Sequence, residues 1–281
     1  MTVAAHLDEA APAAPAARWF APSIVAALVG RDLRRFFRQP SRVVGSLAQP
    51  LILWLVLGAG LSGSFRPGAG ADAGGVGVGY LQYFYPGIVV LTMLFTAIFS
   101  TISVIEDRHH GFLQAVLAAP ASRAALVLGK TLGGVAIASL QAGALLLLAP
   151  LAGFSLGEMS WPLLAADLVL AGIGFTALGF AMAWWIDSTQ GYHAVMSVAL
   201  IPLWMLSGAM FPPSPGSRVL GALMIADPMT YVVSAARRGF HGGAVPAGLV
   251  PAGSAMVDLG VVAAFAVLAV TGAVALCRRR A

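Results

Sequence analysis

Residues 106–130 read EDRHHGFLQAVLAAPASRAALVLGK: a charged cluster, a short amphipathic segment, a proline break, then the start of an apolar helix. On each side lies an apolar run long enough to cross a hydrocarbon layer, which takes roughly 20 residues at 1.5 Å per residue. A polar insert between two such runs is a loop of a multi-pass membrane protein. The composition agrees, because 59% of the chain is hydrophobic and only 10% is charged, against about 25% charged in a soluble domain.

Working outward, six segments meet the length requirement: 43–65, 83–105, 124–154, 161–186, 192–211 and 257–277. The expected fold is therefore an all-α membrane domain over 41–281, with an even number of spans and both termini on one side. Charge sets the orientation, since loops on the cytoplasmic side collect Arg and Lys. With the termini inside, twelve of the 16 basic residues fall inside, and Arg66, Arg218, Arg237 and Arg238 fall outside. Residues 1–21 lack the basic start and apolar core of a secretory signal and read as a disordered Ala/Pro tail in the cytoplasm.

Between 22 and 40 the pattern is amphipathic. Ile24, Val25, Leu28, Val29, Leu33, Phe36 and Phe37 recur at three- and four-residue spacing, and Arg31, Arg34, Arg35 and Arg38 take the other face. Such a helix lies flat among lipid headgroups with its arginines toward anionic lipid; a soluble surface helix is the alternative. Pro22 suits its first turn and Pro40 ends it.

In the opening stretch, Gly111 permits a turn, after which Phe112, Leu113, Val116 and Leu117 share one side of a short helix that stops at Pro120. Lying along the membrane, it presents Phe112 and Leu113 to a groove on a soluble partner, while Glu106 and Arg108 fix the orientation. A plain loop with ordinary interfacial charges is the rival reading. Residues 124–131, AALVLGKT, satisfy the relaxed phosphate-binding loop pattern. They lack its internal glycines and the preceding strand, so Lys130 is expected to snorkel to the interface and no nucleotide site belongs to this chain.

Small residues at Gly129, Gly133 and Gly134 in the third span, and at Gly172 in the fourth, let helix backbones approach closely. Gln141 reads as an interhelical hydrogen-bonding residue, with a pathway-lining role as the alternative. Tyr80, Tyr83, Phe84 and Tyr85 read as an aromatic belt at the outer interface, or as a wall facing a transported molecule. Beyond the fifth span, Pro212 opens a segment whose apolar piece 219–226 is too short to cross. Asp227-Pro228 then starts a second short helix through Tyr231 and Arg237. Two half-length re-entrant helices on the outer side are expected, and an ordinary loop is the other possibility.

No catalytic group or metal site emerges. His109-His110 have no third ligand at fixed spacing, and His6, His193 and His241 are scattered. The lone Cys277 excludes an intrachain disulfide. An ion-coupled secondary transporter needs ionisable groups at mid-depth, whereas Asp167 and Asp258 lie toward outer helix ends. An intramembrane enzyme needs a base near Ser207, and none is placed there. No basic patch with interleaved aromatics points to nucleic acid.

Tyr85-Pro86-Gly87, then Glu106, Arg108, Gly111, Leu113, Pro120, Arg123, Gly129 and Lys130, then Leu206-Ser207-Gly208 with Phe211-Pro212, and finally Asp227-Pro228 with Thr230-Tyr231 and Arg237, occur in an informative order. In that order the chain resembles, over residues 22–280, permease subunits of type-2 ATP-binding-cassette (ABC) exporters, the group of drug-resistance, nodulation and polysaccharide export permeases. Phe112 stands where Thr is expected and Asp227 where Asn is common. The resemblance implies a bacterial cytoplasmic-membrane exporter of a drug-like, lipid or polysaccharide cargo. It also implies a second permease copy and two ATPase subunits. Those subunits would carry ATP and Mg, leaving this chain without a cofactor. The stretch from Glu106 to Arg123 would be the coupling element.

Overall fold

The structure, a computed structural model, describes residues 22–61, 79–118, 122–211, 218–243, 245, 249–250 and 253–279. The expectations for the tail 1–21, Arg66, Pro120 and Pro212 fall outside these residues. Among the described residues the chain is helical and contains no strand. The helices are α1 (Pro22–Phe37), α2 (Pro40–Leu61), α3 (Tyr80–Ser100), α4 (Ile102–His109), α5 (Phe112–Ala118), α6 (Arg123–Leu147), α7 (Trp161–Trp185), α8 (Thr189–Leu206), α9 (Arg218–Ala226), α10 (Pro228–Phe240) and α11 (Ala255–Arg279).

Among the described residues five helical stretches are long and apolar enough to cross a membrane: Val43–Leu61, Tyr80–His109, Arg123–Leu147, Trp161–Trp185 and Ala255–Arg279. Counting the bent pair α9 and α10 as one span gives six. The expected fifth span is α8, which is not among the five. Its 18 residues reach about 27 Å, and Gln190, Tyr192 and His193 in its first turns lower its apolar character. The expected third span overruns as well: α6 ends at Leu147, and a 3-10 turn at Ala149–Ala152 follows, with Pro150 unable to continue the helix ladder. Between α9 and α10 the axis bends by 79° at Asp227. That is the paired short-helix arrangement expected there.

The centre of the bundle is α3, α6 and α7, each buried over most of its length, while α2 and α11 keep most of their surface outward. Glycines set the contacts. A methyl placed on Gly129 would lie 2.7 Å from a Leu28 methyl, and one on Gly174 would lie 2.6 Å from the Phe265 ring, so only glycine lets α1 meet α6 and α11 meet α7 this closely. Gly134 is pressed by Ser100 and Thr176, and Gly172 by Met93.

The aromatic belt is not a belt. Tyr80, Tyr83, Phe84 and Tyr85 are all buried within the protein, and the hydroxyls of Tyr83 and Tyr85 meet backbone carbonyls of other segments. Tyr83 donates to Gly208 at 2.7 Å and Tyr85 to Leu145 at 2.6 Å. Trp204 completes the set by donating its indole N–H to Gly87 at 2.9 Å.

Candidate functional site

The charged residues expected to face lipid or a partner instead knit one end of the bundle together. Asp32 is the only acid of α1, and it sits four residues from both Leu28 and Phe36, on the buried face of the helix. That face packs on α6 where Gly133 leaves room, an added methyl there reaching only 3.4 Å from the Asp32 carboxylate. Lys130, one helical turn before Gly134 on α6, is 3% exposed. It therefore does not snorkel. Its ammonium donates to Asp107 at 2.6 Å, to Asp32 at 3.3 Å and to Ser103 at 3.0 Å.

Arg31 closes the arrangement, bonding Asp107 at 2.5 Å and Asp32 at 3.1 Å. Burial alone would pull its guanidinium down, but the hydrogen bond and charge of Asp107, helped by Asp32, hold it above its ordinary value. Two cations and two carboxylates thus form a neutral quartet drawn from α1, α4 and α6. Neutrality matters, since an unpaired ion in such a place costs several kcal/mol, of order 3–5 when one partner is removed.

Around the quartet the last turn of α4 is tied twice more. Arg35 bonds Glu106 at 2.7 Å. Arg108 pairs with Asp187 and donates to the carbonyls of Ala183 and Trp184 at 3.3 and 3.1 Å, covering the carbonyl end of α7 where a cation is favoured. Glu106 and Arg108 are therefore each paired within the molecule.

Gly111, at a φ of +74°, makes the turn from α4 into α5 that a side-chain-bearing residue would resist. The two apolar residues that follow part company. Leu113 is 4% exposed and belongs to the core, whereas Phe112 is 37% exposed. Adjacent positions on a helix point about 100° apart, so a short helix docked through Leu113 turns Phe112 outward. The inner face of the Phe112 ring carries the Arg31 guanidinium at 4.1 Å, a cation–π contact that joins α5 to α1.

Other expected residues fall elsewhere. Arg34 and Arg38 are exposed, as an outward basic face requires, but Arg31 and Arg35 are not free for lipid. Arg123 donates to the carbonyls of Cys277 and Arg278 at 3.3 and 2.9 Å, so it caps the end of α11 and does not join the cluster. At the opposite end of the bundle Asp227 accepts from the Met229 N–H at 2.8 Å to start α10, and Tyr231 donates to Ile225 at 3.0 Å. Arg237 is buried, donating to Leu249 and Gly208 at 2.7 Å each, with the Tyr83 ring 4.0 Å from its guanidinium. Among the described residues no group of three or more His, Cys, Asp or Glu is arranged to hold a metal ion.

The residues that sequence reading missed are Asp32, Asp107 and Asp187. For Asp32 a signal existed, because an acid at four-residue spacing between Leu28 and Phe36 interrupts an apolar face. Asp107 and Asp187 carried none, lying in polar turns where charge is ordinary.

This geometry occurs in a chain whose relatives are membrane permeases. The ABC-2 type transporter family matches residues 24–241. The putative transport permease ycf38 of Cyanophora paradoxa is 28% identical over 212 residues, which cover 75% of this chain and 71% of that one. The daunorubicin resistance ABC transporter permease protein DrrB1 of Streptomyces coeruleorubidus is 25% identical over 241 residues, 85% and 81% of the two chains. Nodulation protein J of Neorhizobium galegae is 26% identical over 247 residues, 86% and 87%. With most of its length matched, and with apolar helices able to cross a bilayer several times, the chain belongs to the ABC-2 type transporter family and is a multi-pass membrane permease component of an ABC transporter.

Proposed function

We propose that the chain is the export permease of a machine whose ATP hydrolysis takes place on two separate ATPase subunits holding ATP and Mg, with two permease copies forming the path. It sits in a bacterial cytoplasmic membrane with both termini inside, an orientation supported by the basic residues of the inner loops. The cargo is an amphiphile of the drug-like, lipid or polysaccharide kind, in keeping with relatives named for daunorubicin resistance and nodulation. The chain itself contributes no catalytic group and no cofactor site.

One observation carries the reading: an exposed Phe112 set directly on a neutralised and clamped group of charges, Arg31, Asp32, Asp107 and Lys130. Free charges would bind a partner weakly and salt-dependently, whereas an aromatic anchor entering a groove gives a directional grip. Because α5 is tied to α1 through Arg31, and α4 to α6 and α7 through Lys130 and Arg108, a push on Phe112 reaches four helices together. When ATP draws the ATPases together, these helices tilt as a body and open the path between the two copies. The basic face left by Arg34 and Arg38 rests on anionic lipid and holds α1 at the interface.

The test is co-expression of the full-length permease with its ATPase. Phe112→Asp leaves a folded permease, weakens ATPase co-purification and abolishes export; unchanged export contradicts the assignment. Leu113→Asp is a different experiment, since it places a charge in the core and is expected to unfold the protein.

A further inference from the structure

Bounded by α1, α2, α3 and α6 is a cavity of about 590 Å³ that lies within a single copy of the chain, in the size range of sites for drug-sized ligands, roughly 300–1,000 Å³. Its lining changes along its length. At the charged end it meets Asp32, Arg35 and Glu106; at mid-length Ser46, Thr96 and Gln141; at the far end Leu53 and Leu91. His193 of α8 closes one side, its ring 4.8 Å from that of Phe99.

Three features define what fits. First, the cavity offers no unpaired charge: Asp32 is held by Lys130 and Arg31, and Arg35 by Glu106. An ionic head would have to displace an existing ion pair. Second, hydrogen-bonding groups line the middle. Gln141, itself buried, donates to Ser46 at 2.5 Å and accepts from the Thr96 hydroxyl, so it stitches α2 to α3 and α6 while retaining a second N–H. Gln49 lines the same space and has no partner among the described residues. Third, Phe95, Ile137, Leu53 and Leu91 present an apolar wall beyond these amides.

Gly45 of α2 also lines the cavity, at an exposed position where an added methyl meets nothing within 4 Å. The helix gains nothing locally from a glycine there, since glycine is about 1 kcal/mol worse than alanine in a helix. The absent side chain keeps the cavity open.

We propose that this cavity binds a neutral amphiphile, its hydroxyl- or amide-bearing head on Gln49 and Gln141 and its apolar body along Phe95, Leu91 and Leu53. The site deepens the export reading by giving each copy its own cargo-holding cleft beside α2, a helix that keeps most of its surface outward.

The experiment uses the full chain in phosphatidylcholine nanodiscs with an alkyl glucoside carrying a photoreactive diazirine in its tail. Labelling is expected on lining residues of α2, α3 and α6, displaced by unlabelled alkyl glucoside and not by an alkyl trimethylammonium of equal chain length. Gly45→Leu fills the space and is expected to cut labelling about tenfold, equivalent to about 1.4 kcal/mol of binding. Gly60→Leu, the same change on the same helix at an equally open position away from the cavity lining, leaves labelling unchanged. Labelling indifferent to Gly45→Leu, equal displacement by the cationic amphiphile, or adducts confined to other helices would each overturn the proposal. The readout needs neither ATPase nor transport, so its failure leaves the coupling role of Phe112 standing, and loss of that role leaves this binding result intact.

Discussion

The two ends of the bundle hold their most deeply buried cations, Lys130 and Arg237, by opposite means, although Arg238 beside Arg237 does pair with Asp258 of α11 at 2.9 Å. At the α4–α5 end, Lys130 and Arg31 meet carboxylates supplied by other helices, Asp32 and Asp107, and the group sums to zero. At the α10 end, Arg237 is in no ion pair among the described residues: its terminal nitrogens donate to the carbonyls of Gly208, Ala209 and Leu249 and its guanidinium lies against the Tyr83 ring, while its Nε has no partner among those residues. Side-chain ion pairs join helices through flexible stems and can be exchanged between partners. Backbone carbonyls cannot move without moving the chain. The first end is therefore built as a joint and the second as a latch, with Arg237 holding the end of α8, the positive-φ turn at Gly208 and the approach to α11 against α3.

This contrast is most exposed to removal of one ion. Asp107→Ala leaves Lys130 and Arg31 sharing a single carboxylate, and is expected to cost about 3–5 kcal/mol, the usual loss when one member of a buried pair is deleted. Thermal unfolding followed by size-exclusion of a fluorescent fusion measures it, and a loss below that of Arg237→Met would break the distinction.

Arg237→Met comes next. It removes only neutral partners, leaving carbonyls unsatisfied, for an expected loss of about 2–3 kcal/mol. Its effect should fall on the α8–α10 region, seen as faster hydrogen exchange there with the α4–α6 end unchanged.

A smaller effect separates charge from packing at the joint. Gly129→Val pushes α1 away from α6 against Leu28 without altering any ion, and overpacking of this kind typically costs about 1–3 kcal/mol. If it matched Asp107→Ala, close packing and not neutralisation would be holding this end.

Much of this was legible in the sequence, for reasons that also explain the misses. The spans follow from length and apolarity, which the bilayer imposes whatever the neighbours are, so α2, α3, α6, α7 and α11 fall where hydropathy puts them. The turn at Gly111 and the helix start at Asp227-Pro228 were readable because each depends on one residue's backbone chemistry. Whatever depended on a partner helix was not. Arg31 and Arg34 look alike in the sequence, yet one reaches Asp107 and the other stays in the open. Tyr83 looks like an interfacial anchor until Gly208 supplies an acceptor. Leu113 and Phe112 are equally apolar, and only the docking of α5 decides which one turns inward.

The smallest expected effect concerns Asp167, fully buried on α7 with neither carboxylate oxygen hydrogen-bonded among the described residues. If transport is driven by ATPases and not by ions, Asp167→Asn should leave export within about twofold, since a neutral amide suits an apolar site at least as well as an acid. Loss of export in that variant would favour ion coupling.

The claim on which the rest depends is that ATPases grip this chain at Phe112. Replacing Phe112 by a photo-crosslinking benzoyl-phenylalanine in the assembled, full-length complex tests it directly, with Tyr231 at the opposite end of the bundle as the comparison site. The account predicts an adduct with the ATPase from position 112 and none from 231. An ATPase adduct from 231, or none from 112 in a complex that still exports, would contradict it.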